Sequence, residues 1–140
     1  MAKHEIPKAI RIIREADYMP EFGTQVIHVW ANPPHEMLKR RAEQIRQAQK
    51  IRDELKALQG LSDDVSQERL KALGIELMAL SEAMYDWLAE IWSQHEDPET
   101  HWSREDMTEL VKQCIDKEPE FYGWLIGETM KLISEHRKKA

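Results

Sequence analysis

Leu70, Leu73, Leu77, Leu80, Met84, Trp87 and Ile91 succeed one another in alternating steps of three and four residues. That spacing keeps one face of an α-helix apolar, and no strand can hold it, because strand side chains switch faces at every residue. A long amphipathic helix is therefore expected over residues 66 to 93. At 1.5 Å per residue it spans about 42 Å, longer than a compact domain of this size needs.

The segments around this helix are shorter and less uniform. "AIRIIREADY" and "TQVIHVWA" are rich in β-branched residues and partly alternating, and "MPEFGT" between them supplies Pro and Gly. A β-hairpin is the natural reading. Ile10, Ile13 and Ala16 also share helical spacing, so residues 8–16 stay open between strand and helix. "ANPPHEM" marks a boundary, with Asn32 placed to cap and Pro33 or Pro34 suited to a first helical turn. The next helix is expected from about residue 34 to 58, before Gly60. Its apolar positions, Leu38, Ala42, Ile45, Ile51, Leu55 and Leu58, wander around the axis instead of forming one line.

After the long helix comes "IWSQHEDPETHWSRED", residues 91–106. Its histidines and acids invite a metal-site reading, but its punctuation is that of a helix start. Ser103 is a good N-cap, Asp106 stands three residues on, and Trp102 and Met107 hold the positions of a hydrophobic staple. Pro98 ends whatever precedes it. A third helix then presents Met107, Leu110, Val111, Cys114 and Ile115 on one side and ends near Glu118 and Pro119. A fourth, about 119 to 137, turns Phe121, Leu125, Leu132 and Ile133 inward, with a basic end that suits the negative helix terminus. The fold class is mainly α: about four helices with a small N-terminal β-hairpin, read as a single domain over 1–140, with 1–33 the hairpin segment and 34–140 helical.

Charge and composition narrow the setting. Of the 140 residues 41% are hydrophobic and 33% charged, too apolar for a disordered chain and too charged for a membrane one. No apolar run reaches the roughly 18 residues of a membrane span, and the N-terminus lacks the apolar core of a secretory signal. A cytoplasmic protein is expected, in the host cytoplasm if the chain is viral. Cys114, the single cysteine, fits a reducing compartment and reads as a small buried hydrophobe. The net charge of −6 hides a segregation: residues 59–130 carry seventeen acids against five bases, and residues 35–58 carry seven bases against four acids. Such blocks are solvated faces that pair across a fold, or a surface for a charged partner.

No catalytic chemistry is legible. His95 and His101 lie six apart across Pro98 without the spacing of a zinc site. Glu96 and Glu99 have the E-x-x-E spacing of a helical magnesium-dependent phosphohydrolase, but they fall in the break, and a second acidic pair is missing. Phosphate-cradling and nucleophile-elbow motifs are absent. Lys39, Arg40, Arg41, Arg46, Lys50, Arg52 and Lys56 make a basic helix, yet they spread over two faces among Glu36, Glu43, Asp53 and Glu54, which argues against nucleic acid. No enzyme, cofactor or metal is expected. Trp87, Trp92, Trp102 and Trp124 are mostly core, but Met78 and Trp92 fall off the main apolar line of the long helix. With Tyr85 and Trp30 they form the expected partner-binding surface, for a second copy or a helical client.

A long helix ending "YDWLAEIWSQ", a polar break, the capped "WSREDMTELVKQCI" and the closing "PEFYGWLIGETMKLI" together resemble the small helical tail assembly chaperones of long-tailed bacteriophages. The resemblance covers residues 66–137 and is one of lengths and residue classes; the hairpin and basic first helix lie outside it. It implies a non-enzymatic protein that coats a tape measure protein and recruits tail tube subunits, often self-associating as a homo-oligomer. A nucleic-acid-associated or regulatory adaptor and a small phosphohydrolase-like enzyme are the alternatives.

Overall fold

The β-branched runs of the N-terminal segment pair as an antiparallel hairpin, β1 (Ile10–Arg14) with β2 (Val26–Trp30), in the register Ile10↔Trp30, Ile12↔His28 and Arg14↔Val26. This is a computed structural model, and it describes residues 6–93 and 104–138. The choice left open for residues 8–16 resolves as strand over Ile10–Arg14, followed by a 3-10 turn at Glu15–Asp17. A second 3-10 turn, Pro20–Phe22, ends at Gly23, whose φ of +66° favours glycine. Four α-helices follow among the described residues: α1 (His35–Leu58), α2 (Asp64–Trp92), α3 (Arg104–Lys117) and α4 (Pro119–Lys138). The mainly α fold with an N-terminal hairpin is as the sequence implies. None of the described helices is long and apolar enough to cross a membrane.

The residues group into two compact units, and the hairpin segment belongs with the last two helices. In that first unit α4 lies against both strands and α3 packs on α4. Ile13, Ile27 and Val29 point from one face of the sheet into the core. α4 presents Phe121, Leu125, Thr129 and Ile133, one residue per turn, and α3 presents Met107, Val111 and Cys114. Pro119 occupies the first turn of α4, where a missing N–H leaves nothing unbonded. Tyr18, Phe22, Phe121 and Trp124 form an aromatic cluster, with the rings of Phe22 and Phe121 stacked at 4.6 Å. Asn32, expected as a cap for α1, closes the base of the hairpin instead. Its Oδ1 accepts from the Ala9 N–H at 2.6 Å and its Nδ2 donates to the Pro7 carbonyl at 2.9 Å.

The second unit, His35–Trp87, is a helical hairpin of α1 and the greater part of α2. Two contacts make it antiparallel: the Trp87 Nε1–H donates to the Met37 carbonyl at 2.7 Å, and the Arg69 guanidinium bridges both carboxylate oxygens of Glu54 at 2.8 and 3.1 Å. The inward line of α1 is Met37, Arg41, Gln44 and Ala48, all buried, continued by half-buried Ile51, Leu55 and Leu58. These steps of four and three match the expected line of α2, so the two helices each carry a buried line of the same period. The apolar residues of α1 do wander, Ala42 and exposed Ile45 lying off this line, and two polar side chains, Arg41 and Gln44, occupy buried places on it. On α2, Leu73 and Trp87 are fully enclosed while Leu70, Leu77, Leu80 and Met84 are half-buried. Leu73 is therefore the costlier site for truncation to Ala, ahead of Leu77 and Leu80.

The turn between the helices is built from local chemistry. Gly60 takes a φ of +88° just after α1, the left-handed conformation that ends a helix. Asp63 caps α2: its Oδ2 accepts from the Ser66 N–H at 3.0 Å and its Oδ1 from the Ser66 hydroxyl at 2.7 Å. The Ser66 hydroxyl and N–H hold the Asp63 carboxyl below its usual range. A carboxyl depressed in the folded state contributes stability that is present above its unfolded pKa and lost as pH falls through the lower folded value. In circular-dichroism melts, Asp63→Ala is expected to lower the neutral-pH melting temperature of the helical hairpin. Asp63→Asn, still a capping residue but without the charge and the second acceptor, is expected to melt between Asp63→Ala and the parent at neutral pH and to lack the acid-dependent part of the decline.

Candidate interaction surface

A helix packed along one seam buries one face, and what stands on the other faces is what a partner meets. On α2 the residues Lys71, Ile75, Met78, Glu82 and Tyr85 fall at steps of four, three, four and three, a second line beside the buried one. Ile75 is 71% exposed and Met78 68% exposed, while Tyr85 is half-buried and Lys71 and Glu82 face solvent. Isolated surface apolar residues are ordinary, but two large ones a helical turn apart form a patch. Gly74 adjoins it, and nothing stands within 4 Å of where its Cβ would be.

The four side chains expected to bind a partner separate here. Met78 is exposed and Tyr85 half-exposed on this line of α2, in the second unit. Trp30 belongs to the first unit, half-buried at the end of β2, with the Lys8 ammonium 5.0 Å from its ring centre. Trp92 is 1% exposed, and its Nε1–H donates to the Thr129 hydroxyl oxygen at 3.1 Å, while that hydroxyl donates to the Leu125 carbonyl at 2.7 Å. An indole enclosed in this way is core and offers nothing to a partner. Trp92 leaves the candidate surface and Ile75 enters it. Ile75 was legible from its place three residues before Met78, in step with Tyr85.

His95, His101, Trp102, Ser103 and the acids between the histidines lie outside the described residues. Among the described residues no group of three or more His, Cys, Asp and Glu stands close enough to hold a metal ion. The basic helix α1 exposes Lys39, Arg40, Arg46, Lys50, Arg52 and Lys56 among Glu36, Glu43 and Asp53, with Arg46 3.5 Å from Glu43. A shallow open depression beside it is lined by Glu36, Lys39, Arg40, Glu43, Gln44 and Gln47. Cys114 is buried, and burial first, then the charges of Glu15 and Glu118, push its thiol up to about 11. Such a thiol is not poised as a nucleophile at neutral pH.

No family model, curated protein or solved structure matches this chain. The face of α2 around Ile75 and Met78 therefore stands on its own geometry. It offers a narrow apolar strip, about two turns long, with a cation at one end and a carboxylate at the other. A strip of that form fits another helix laid along it, the contact that uses i, i+3, i+4 and i+7 anchors.

Proposed function

We propose that this chain is a non-enzymatic protein-interaction factor that works in assembly, as a tail assembly chaperone of a long-tailed phage, binding a tape measure protein and tail tube subunits in the host cytoplasm. The observation that carries the interaction reading is the exposed Ile75 and Met78 on a helix of 29 residues. Leaving two large apolar side chains in water forgoes about 25 cal/mol for each Å² that a partner would cover. Long helical clients are the partners such a face suits. The identity of the client rests on the resemblance of residues 66–137 to the phage chaperones.

The test begins with the neighbouring genes, where a long helical tape measure reading frame downstream, preceded by a slippery frameshift site, is the expected context. Co-expression of the tagged chain with that tape measure product and with the tube subunit is expected to yield a co-purifying complex that survives size-exclusion chromatography. Retention of neither protein, with the tagged chain folded, overturns the chaperone reading.

A further inference from the structure

The exposed line of α2 is self-complementary when read backwards. Lys71, Ile75, Met78 and Glu82 are spaced four, three and four residues apart, so the line is symmetric about its midpoint between Ile75 and Met78. Reversal exchanges Ile75 with Met78, both large and apolar, and exchanges Lys71 with Glu82, which carry opposite charge. One step further out, reversal exchanges Glu68 with Tyr85, a carboxylate with a phenol. A random surface strip has no reason to match itself in this way.

We propose that the partner seated on this strip is a second copy of the same chain, its α2 laid antiparallel to the first about a two-fold axis beside residues 76 and 77. This rests on the reading of the strip as a protein-binding surface and names what covers it. In that arrangement Ile75 of each copy meets Met78 of the other at the centre. Lys71 of each copy meets Glu82 of the other, so two ion pairs close the ends of the patch, about 16 Å apart at 1.5 Å per residue. The contact is isologous, as two-fold dimers require. A parallel arrangement would set Lys71 against Lys71 and Glu82 against Glu82, and like charges across an interface select against it. Gly74 flanks the strip with open space at its Cβ position, so the two backbones can approach closely there.

Opposite charges at symmetric positions give a test that separates this contact from any other. By sedimentation equilibrium the wild type is expected to be a dimer, and Ile75→Glu with Met78→Glu a monomer of unchanged helix content. Lys71→Glu alone, or Glu82→Lys alone, turns both end pairs repulsive and is expected to raise the dimer Kd about tenfold or more. Combining Lys71→Glu with Glu82→Lys restores both pairs in reversed polarity, and the Kd is expected to return toward the wild-type value. Geometry is read independently by cross-linking: a chain carrying Ile75→Cys mixed with one carrying Met78→Cys is expected to form the mixed disulfide faster than Ile75→Cys forms it with itself across the axis. A wild type that stays monomeric, a dimer indifferent to the single charge reversals, or a double reversal that fails to rescue overturns the second-copy assignment. Client retention, measured on the Ile75→Glu, Met78→Glu variant, is scored separately. A monomeric variant that still holds the tape measure protein leaves the chaperone reading standing, and a dimer that holds no client removes that reading alone.

Discussion

Trp92→Glu is expected to unfold the unit formed by the hairpin, α3 and α4, not merely to strip it of a partner. The side chain is 1% exposed, and Leu125 and Ile133 of the same compact unit are buried as well. Its indole N–H is bonded to the Thr129 hydroxyl oxygen at 3.1 Å. Truncating a buried Trp to Ala removes about 3 to 5 kcal/mol, already a large share of the 5 to 15 kcal/mol that hold an ordinary domain together. A glutamate adds the cost of burying a carboxylate away from water. Trp92→Phe keeps most of the ring and gives up only the N–H bond, costing on the order of 1 kcal/mol, and Thr129 keeps its bond to the Leu125 carbonyl. The expected order of melting temperatures is wild type, then Phe, then Ala, then Glu, the last with most of its near-ultraviolet dichroism lost. A Trp92→Glu chain that melts like the parent would show the indole to be a surface group after all.

That placement shows why part of the architecture was legible in the sequence and part was not. α2 announces itself because every position of its seam is apolar, from Leu70 to Ile91, and a period of three and four belongs to one conformation. Its partner α1 hides the same period, because Arg41 and Gln44 occupy two of the buried places and a reader of hydrophobicity passes over them. Arg41 is buried there because its guanidinium lies 5.3 Å over the Trp87 ring, an interaction between residues 46 apart that no local pattern reveals. The strands were readable from β-branching, but the choice of strand over helix at residues 10 to 14 was made by pairing with residues 26 to 30.

The candidate surface was half legible for a related reason. Met78 was visible as an apolar residue off the main line, and so was Trp92, yet one is exposed and the other enclosed. Periodicity reports which residues share a face of a helix; it does not report which stretch of that face is covered. At the end of α2, Trp87, Leu88, Ala89, Ile91 and Trp92 are all buried, so the buried face there is wider than the main apolar line and takes in Trp92. Ile75 passed unnoticed because a single isoleucine carries no compositional signal, although its spacing from Met78 and Tyr85 was there to be read.

The helical hairpin has its own keystone, and Trp87→Ala is expected to cost it more than truncation of any leucine on the open part of the seam. Three interactions meet at this indole. It is 3% exposed, its N–H donates to the Met37 carbonyl at 2.7 Å, and its face receives the Arg41 guanidinium. Removing the ring forfeits about 3 to 5 kcal/mol of burial and packing and leaves a buried guanidinium without its aromatic face. Half-buried Leu77 and Leu80 have less to lose, and truncation there falls toward the lower end of the 2 to 5 kcal/mol range for Leu→Ala. Trp87→Phe separates the contributions, since it spares the ring face and deletes the hydrogen bond, for a loss on the order of 1 kcal/mol. A double-mutant cycle with Arg41→Met then isolates the cation–aromatic contact, for which a coupling of about 0.5 to 2 kcal/mol is expected at a desolvated site. Urea unfolding followed by far-ultraviolet dichroism supplies all of these values. Additive single losses would mean that Arg41 is held by its other neighbours, and a Trp87→Ala variant no weaker than Leu77→Ala would mean that the two helices are registered elsewhere along the seam.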